Sequence, residues 1–195
     1  MKARRAGRVA GLLALGVLLG LGSAWAVLRW GIRAQPAVRA GAWQTDRAVG
    51  SVGAGLYTRA VVARAALLAL DRSETLYFVA LRDDRGESLR TRCNYEIVGR
   101  PPPARWWSVT AYGDDYFLLD SAERRYSFNR DTVSLLPDGG FRVVTGPTPR
   151  PGDWLPTPGD RGLVLTLRLY NPSDELVRAP ERLDPPRIVP IGACP

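Results

Sequence analysis

The chain has 195 residues, enough for one ordinary domain and a short appendage. It carries 27 Lys+Arg against 19 Asp+Glu, for a formal net charge of +8, and has no histidine. The missing imidazole excludes Ser-His-Asp and Cys-His nucleophile systems and His-ligated zinc, and two cysteines are too few for a structural zinc cluster. No metal and no cofactor are expected. The basic side is arginine apart from Lys2, beside 20 Gly and 16 Pro, which reads as a GC-rich bacterial coding bias rather than as chemistry.

The charge is unevenly spread. Residues 1–33 hold Lys2, Arg4, Arg5, Arg8, Arg29 and Arg33 and no acid. The rest of the chain sets 21 Arg against all 19 acids and nets only +2. Phosphate-driven binding needs a basic face that displaces counterions, so no nucleic-acid partner is expected.

Val9 to Leu28 is a run of 20 residues without a charge. At ~1.5 Å per residue it reaches ~30 Å, the thickness of a bilayer's hydrocarbon core. Trp25 and Trp30 lie at its distal end, where an aromatic belt belongs. The spacing predicts a single transmembrane helix within 1–33. The basic N-terminal flank places the N-terminus in the cytoplasm and the domain in the periplasm of an inner membrane. Ser23-Ala24-Trp25-Ala26 also contains an A-x-A pattern, so a cleaved signal peptide is the competing reading; the length of the apolar run favours an uncleaved anchor.

A linker over 34–47, with Pro36 and Gly41, leads to a globular domain over 48–195. Leu56, Ala60, Ala63 and Leu67 recur at three- and four-residue steps, which predicts a helix over 48–71. From Thr75 the period changes to two. Thr75–Leu81 and Leu89–Val98 read as a hairpin around Asp83-Asp84-Arg85-Gly86, with Gly86 supplying a positive φ. Arg105–Tyr112 is the next strand, with Trp107, Val109 and Ala111 on one face and Trp106, Ser108, Thr110 and Tyr112 on the other. Tyr116–Leu119 is a short strand, and Thr132–Leu136 and Phe141–Thr145 flank the turn Pro137-Asp138-Gly139-Gly140. A proline-rich loop over 146–160 precedes Leu163–Tyr170, where four leucines alternate with Val164, Thr166, Arg168 and Tyr170. A last strand covers Arg187–Ile191. Fifteen of the 16 prolines lie at or beyond position 101, which leaves no room there for long helices. The fold class is mainly β, an antiparallel jelly-roll-like sandwich over 75–195.

Export gives the two cysteines a meaning. In an oxidising compartment Cys93 and Cys194 are expected to pair, tying the C-terminal strand beside Leu89–Val98.

Several segments carry a family likeness: Thr75–Leu89 (TLYFVALRDDRGESL), Ala104–Gly113 (ARWWSVTAYG), Arg125–Asp131 (RYSFNRD), Leu136–Gly146 (LPDGGFRVVTG) and Asp153–Pro172 (DWLPTPGDRGLVLTLRLYNP). Together they resemble the bacterial domain of unknown function 1214 family, from about Ser73 to Ile191. The resemblance implies a jelly-roll-like β-sandwich and supplies no activity and no catalytic residues. Many members carry a second β domain of the 1254 type ahead of this one; this chain has a membrane segment and a helix there instead.

Two functional readings follow from the side chains. Trp106, Tyr112 and Trp154, with Arg105 and Arg168, could line a binding cleft, because flat aromatics cover sugar faces and arginines bracket an anion. Asp114, Asp115 and Asp120, with Glu123, form an acidic loop cluster that could cleave a glycosidic bond through a carboxylate pair. Ser108 and Ser127 have no base to activate them. Binding of a glycan or an envelope protein, rather than catalysis, is the expected role, and the discriminating observation is a wall of aromatics without convergent acids.

Overall fold

The period-two stretches assemble into two sheets in a computed structural model of the chain, which describes residues 2–34, 37–64 and 70–194. Ten strands form among the described residues: β1 (Val38–Ala40), β2 (Trp43–Thr45), β3 (Thr75–Ala80), β4 (Tyr95–Gly99), β5 (Ala104–Gly113), β6 (Ser127–Asn129), β7 (Phe141–Gly146), β8 (Trp154–Pro156), β9 (Leu163–Pro172) and β10 (Arg187–Pro190). One sheet has the order β1-β2-β3-β9-β5-β6 and is antiparallel throughout. The other has the order β10-β4-β7-β8, antiparallel except for the parallel β7–β8 pair. The expected mainly-β sandwich is therefore present, with one parallel edge.

Alternation explains the core. Leu165, Leu167 and Leu169 of β9 are fully buried, and Trp107, Val109 and Ala111 of β5 share their face. Ile97, Phe141, Val143, Leu155 and Ile188 of the second sheet join the same core, and Trp107 stacks on Phe141 with ring centroids 4.7 Å apart. The opposite face of the large sheet carries Trp106, Ser108, Thr110 and Tyr112 from β5 and Thr166, Arg168 and Tyr170 from β9, in the register Trp106↔Tyr170, Ser108↔Arg168 and Thr110↔Thr166.

Ahead of the strands, helix α1 spans Lys2–Ala34. Within it Gly7–Ala26 has a mean hydropathy of 2.0, long and apolar enough to cross a membrane. None of that stretch is buried against the domain, and Leu12, Leu13, Leu18 and Leu21 are each about two-thirds exposed. Such leucines demand an apolar surround that the chain itself does not supply.

Several sequence expectations need correction. The stretch expected as linker holds β1 and β2, and Trp43 is fully buried with its indole N–H donating to the Pro186 carbonyl at 2.7 Å. β1 and β2 thus belong to the six-stranded sheet rather than to a linker. The helix expected over 48–71 is shorter: α2 spans Leu56–Arg64, and 65–69 lie outside the described residues. Asp46 accepts the Ala48 N–H to make a turn, and Gly50 takes φ +73° with the Leu70 carbonyl where a Cβ would stand, which stops a helix from starting there.

The expected hairpin is only a stub. Gly86 does adopt φ +86°, and a single bridge joins Arg82 to Ser88. Asp83 accepts the N–H groups of Arg85 and Glu87, both at 2.9 Å, and fixes the loop. Beyond it the chain cannot stay beside β3, because β2 and β9 occupy both of that strand's edges. It crosses to the other sheet and begins β4 only at Tyr95. The same competition removes Thr132–Leu136, since β4 and β8 flank β7 and only the Leu135–Phe141 bridge remains. Tyr116–Leu119 is a turn rather than a strand, with Tyr116 in the left-handed region at φ +66°. The proline-rich loop, in contrast, contributes β8, where Pro156 is tolerated at a sheet edge.

Cys93 sits in the turn before β4 rather than on a strand face, and is buried. Pairing of β10 with β4, Pro190 opposite Tyr95, returns the chain to that turn. Cys93 and Cys194 pair at disulfide distance, with Cα atoms 4.8 Å apart.

Candidate functional site

The outer face of the six-stranded sheet gathers most of the residues that could bind a ligand. β9 lies between β3 and β5, so residue 168 stands near the middle of the sheet, opposite Tyr77 on one side and Ser108 on the other. Arg168 is half-buried and is held by hydroxyls: it donates to Thr110 Oγ1 at 3.2 Å and to the Tyr112 hydroxyl at 2.8 Å. Its guanidinium carbon lies 5.5 Å from the Tyr112 ring centroid and 6.0 Å from that of Tyr77.

One register step along, Trp106 meets Tyr170 edge to face at 5.2 Å. Trp106 is half-buried and its indole N–H donates to Asp131 at 2.8 Å, which fixes the ring. The edge strand β6 completes the row with Ser127 and Asn129, paired to Thr110 and Ser108. Asn129 turns its carbonyl oxygen to the N–H groups of Asp131 and Thr132. The face is thus aromatic and hydroxyl-rich, with one guanidinium at its centre that meets no carboxylate among the described residues.

Trp106, Tyr112 and Arg168, all candidates from sequence, come together here. Two others do not. Arg105 is exposed and stands on the odd register of β5, opposite in direction to Trp106, so it cannot bracket an anion with Arg168. Trp154 belongs to the other sheet, paired with Val144 on β8; it is buried, and its indole N–H is occupied by the Gly146 carbonyl at 3.1 Å. Tyr77 and Tyr170 join this face without being candidates from sequence. The signal for Tyr170 was present in the even-numbered alternation it shares with Arg168. That for Tyr77 needed the β3–β9 register.

The acidic cluster is tied up elsewhere. Arg161 bonds both Asp114, at 3.0 Å, and Asp115, at 2.6 Å, on the exposed surface. The Arg161 guanidinium, helped by the Phe117 N–H, holds the Asp115 carboxyl below the usual aspartate range. Glu123 accepts the Ser121 hydroxyl, and Asp120 is exposed. A glycosidase acid needs a raised pKa, and the shift at Asp115 runs the other way. Among the described residues no group of three or more His, Cys, Asp or Glu is placed to hold a metal ion.

A separate groove runs between Arg39–Gln44, Leu81–Gly86 and Leu183–Arg187. Within its charged wall Arg187 pairs with Asp84 at 3.1 Å, and none of the residues expected from sequence to bind or react lines it.

Known proteins match the fold rather than an activity. The crystal structure of the VPA0106 protein from Vibrio parahaemolyticus is similar over 72% of this chain, at 21% identity and a TM-score of 0.59. This chain spans 36% of that one, about a third of its length. An uncharacterized protein from Burkholderia cenocepacia aligns over 63% of this chain and 31% of its own, at 20% identity and a TM-score of 0.40. No curated protein matches the sequence. The profile of the family described as "Protein of unknown function (DUF1214)" matches residues 74–174, from the start of β3 to the end of β9 and just over half of the chain, and the chain belongs to that family.

Proposed function

We propose that this protein is a membrane-anchored envelope module that binds a glycan on the outer face of its six-stranded sheet and does not cleave it. The observation that carries the reading is the row of partly buried Trp106, Tyr170, Arg168 and Tyr112 on the outer face of the large sheet, with the carboxylates of Asp114 and Asp115 engaged by Arg161. Aromatic rings bury the apolar faces of sugars, and a rigid sheet holds them without an ordering cost on binding.

The anchor reading rests on the apolar helix within α1 and its basic N-terminal flank, and the cysteine pair supports an oxidising compartment. On this reading the N-terminus is cytoplasmic and the domain faces the periplasm. Fusion of alkaline phosphatase after Pro195 should then be active, whereas activity only from a cytoplasmic reporter contradicts it.

The binding reading is tested with the full chain in detergent micelles on a glycan array. Wild-type protein should retain a subset of glycans intact, and Trp106→Ala should lose them. Retention unaffected by Trp106→Ala, or shortening of the glycans that Asp115→Asn abolishes, contradicts it.

A further inference from the structure

Among the described residues, the most exposed large apolar side chains lie outside the spanning helix. Val52 is 90% exposed and Leu56 84%, against at most 69% for the described leucines of α1. Both belong to a short hook, residues 51–56, that leads into α2. Arg59 closes the hook from within α2. Its Nε donates to the Ala54 carbonyl and its Nη2 to the Val52 carbonyl, both at 3.0 Å. Ser51 Oγ accepts the Gly53 N–H at 3.1 Å. Two apolar side chains are thus held out on a fixed tip, where contact with water is costly.

The neighbours of the hook indicate what covers it. α2 packs against α1, the helix apolar enough to cross a membrane. Residues 7–23 of α1 are exposed throughout, and partial cover begins only at Ala24 and Ala26, the distal end of the spanning stretch. On its other side the segment is stitched to the domain. The Arg72 N–H donates to the Gly50 carbonyl at 3.2 Å, the Leu70 N–H to the Tyr77 hydroxyl at 3.3 Å, and Arg72 Nη2 to the Val177 carbonyl at 3.2 Å. Charge follows the same division. Residues 29–72 hold seven arginines and two acids, a net +5, whereas residues 73–195 hold 16 arginines and 17 acids, a net −1. Beyond the spanning stretch the positive excess is confined to the segment that adjoins it, and anionic lipid headgroups attract such a segment.

We infer that α2 lies where α1 leaves the bilayer, and that the 51–56 hook sets Val52 and Leu56 into the headgroup boundary, with the basic stretch around it on anionic phospholipid. The apolar tips lose water there while the arginines stay at the level of the phosphates. The inference rests on reading α1 as a membrane anchor. The two fail differently, because a spanning helix holds the chain in the bilayer wherever the domain stands.

The test reads depth in the full chain, reconstituted in vesicles of phosphatidylcholine and phosphatidylglycerol. Cys93 and Cys194 are paired, so one added cysteine takes a fluorophore, and nitroxide-bearing lipid quenches it only near the bilayer. The label is placed by Leu56→Cys, by Leu18→Cys within the spanning stretch, or by Leu135→Cys, whose leucine is 61% exposed beside β7 of the smaller sheet. Emission from position 56 should be quenched several-fold more than emission from position 135. Val52→Asp should bring quenching at 56 down to the level at 135. Vesicles of phosphatidylcholine alone should weaken quenching at 56 and leave quenching at 18 unchanged. Quenching at 18 with none at 56, or quenching at 56 that ignores Val52→Asp, overturns the surface contact while leaving the anchor standing. Quenching at 56 that is undiminished in phosphatidylcholine alone overturns the part given to anionic headgroups. No quenching at 18 overturns the anchor and the contact together.

Discussion

Arg168 donates to the Tyr112 hydroxyl at 2.8 Å, a bond that crosses from β9 to β5 on the outer face of the large sheet. It is one of two hydroxyl contacts that aim the guanidinium, the other being Thr110. Tyr112→Phe keeps the ring against the cation and deletes the bond. A glycan held on this face should then bind roughly fivefold more weakly, the equivalent of ~1 kcal/mol for one hydrogen bond, with thermal stability nearly unchanged. Calorimetric titration of the variant beside wild type checks this.

The core predicts a larger effect at the neighbouring position. Trp107 is 1% exposed and stacks on Phe141 across the sandwich, so it joins the two sheets. Trp107→Ala should cost ~3–5 kcal/mol and lower Tm sharply. The Trp107 indole nitrogen has no hydrogen-bond partner among the described residues. Trp107→Phe, which keeps a stacking ring and removes that buried donor, should therefore cost much less. Denaturant melts of both variants measure the difference.

These two adjacent tryptophans show what the sequence makes legible. Alternation along β5 separates Trp106 from Trp107 without any structure, and the leucines of β9 mark the central strand in the same way. What alternation does not encode is which strands are neighbours. By pattern Leu89–Val98 is the partner of Thr75–Leu81, yet β3 already has β2 and β9 on its edges, and the partner that excludes β4 lies about 85–95 residues further along the chain. Trp154 was misplaced for a related reason: its exposure depended on a short edge strand inside a proline-rich loop, where local pattern says little. Arg168 was legible as a residue type and position, but its isolation from carboxylates became visible only once Arg161 had claimed Asp114 and Asp115.

The cysteine pair ties β10 and the segment beyond it to the turn before β4, at a sequence separation of 101 residues. Thiol titration of the unfolded, unreduced protein should find no free thiol. Cys194→Ser should lower stability by up to ~4–5 kcal/mol in the chain-entropy model, without disturbing α2. Two free thiols in the wild-type protein would count against the pairing.

Asp115 gives a pH-dependent prediction. Arg161 and the Phe117 N–H hold its carboxyl below the ordinary aspartate value, about 3.9 in the unfolded chain. A group whose folded pKa is depressed contributes stability above its unfolded pKa, and that contribution disappears as pH falls through the folded value. Acid should therefore loosen the 114–118 turn only below the normal aspartate range. Arg161→Gln should move the Asp115 titration upward, as followed by carboxyl carbon shifts in NMR.

The binding face itself is tested most directly by watching the tryptophans. The chain has six, and each indole N–H gives its own NMR signal in protein labelled with nitrogen-15 at tryptophan. Trp106 and Trp154 were equal candidates from sequence but sit in different sheets, Trp106 half-buried on the large sheet's outer face and Trp154 buried in the smaller one. On addition of a glycan that the array retains, the Trp106 signal should shift and saturate while that of Trp154 stays in place. A shift at Trp154 with Trp106 unmoved would contradict the account.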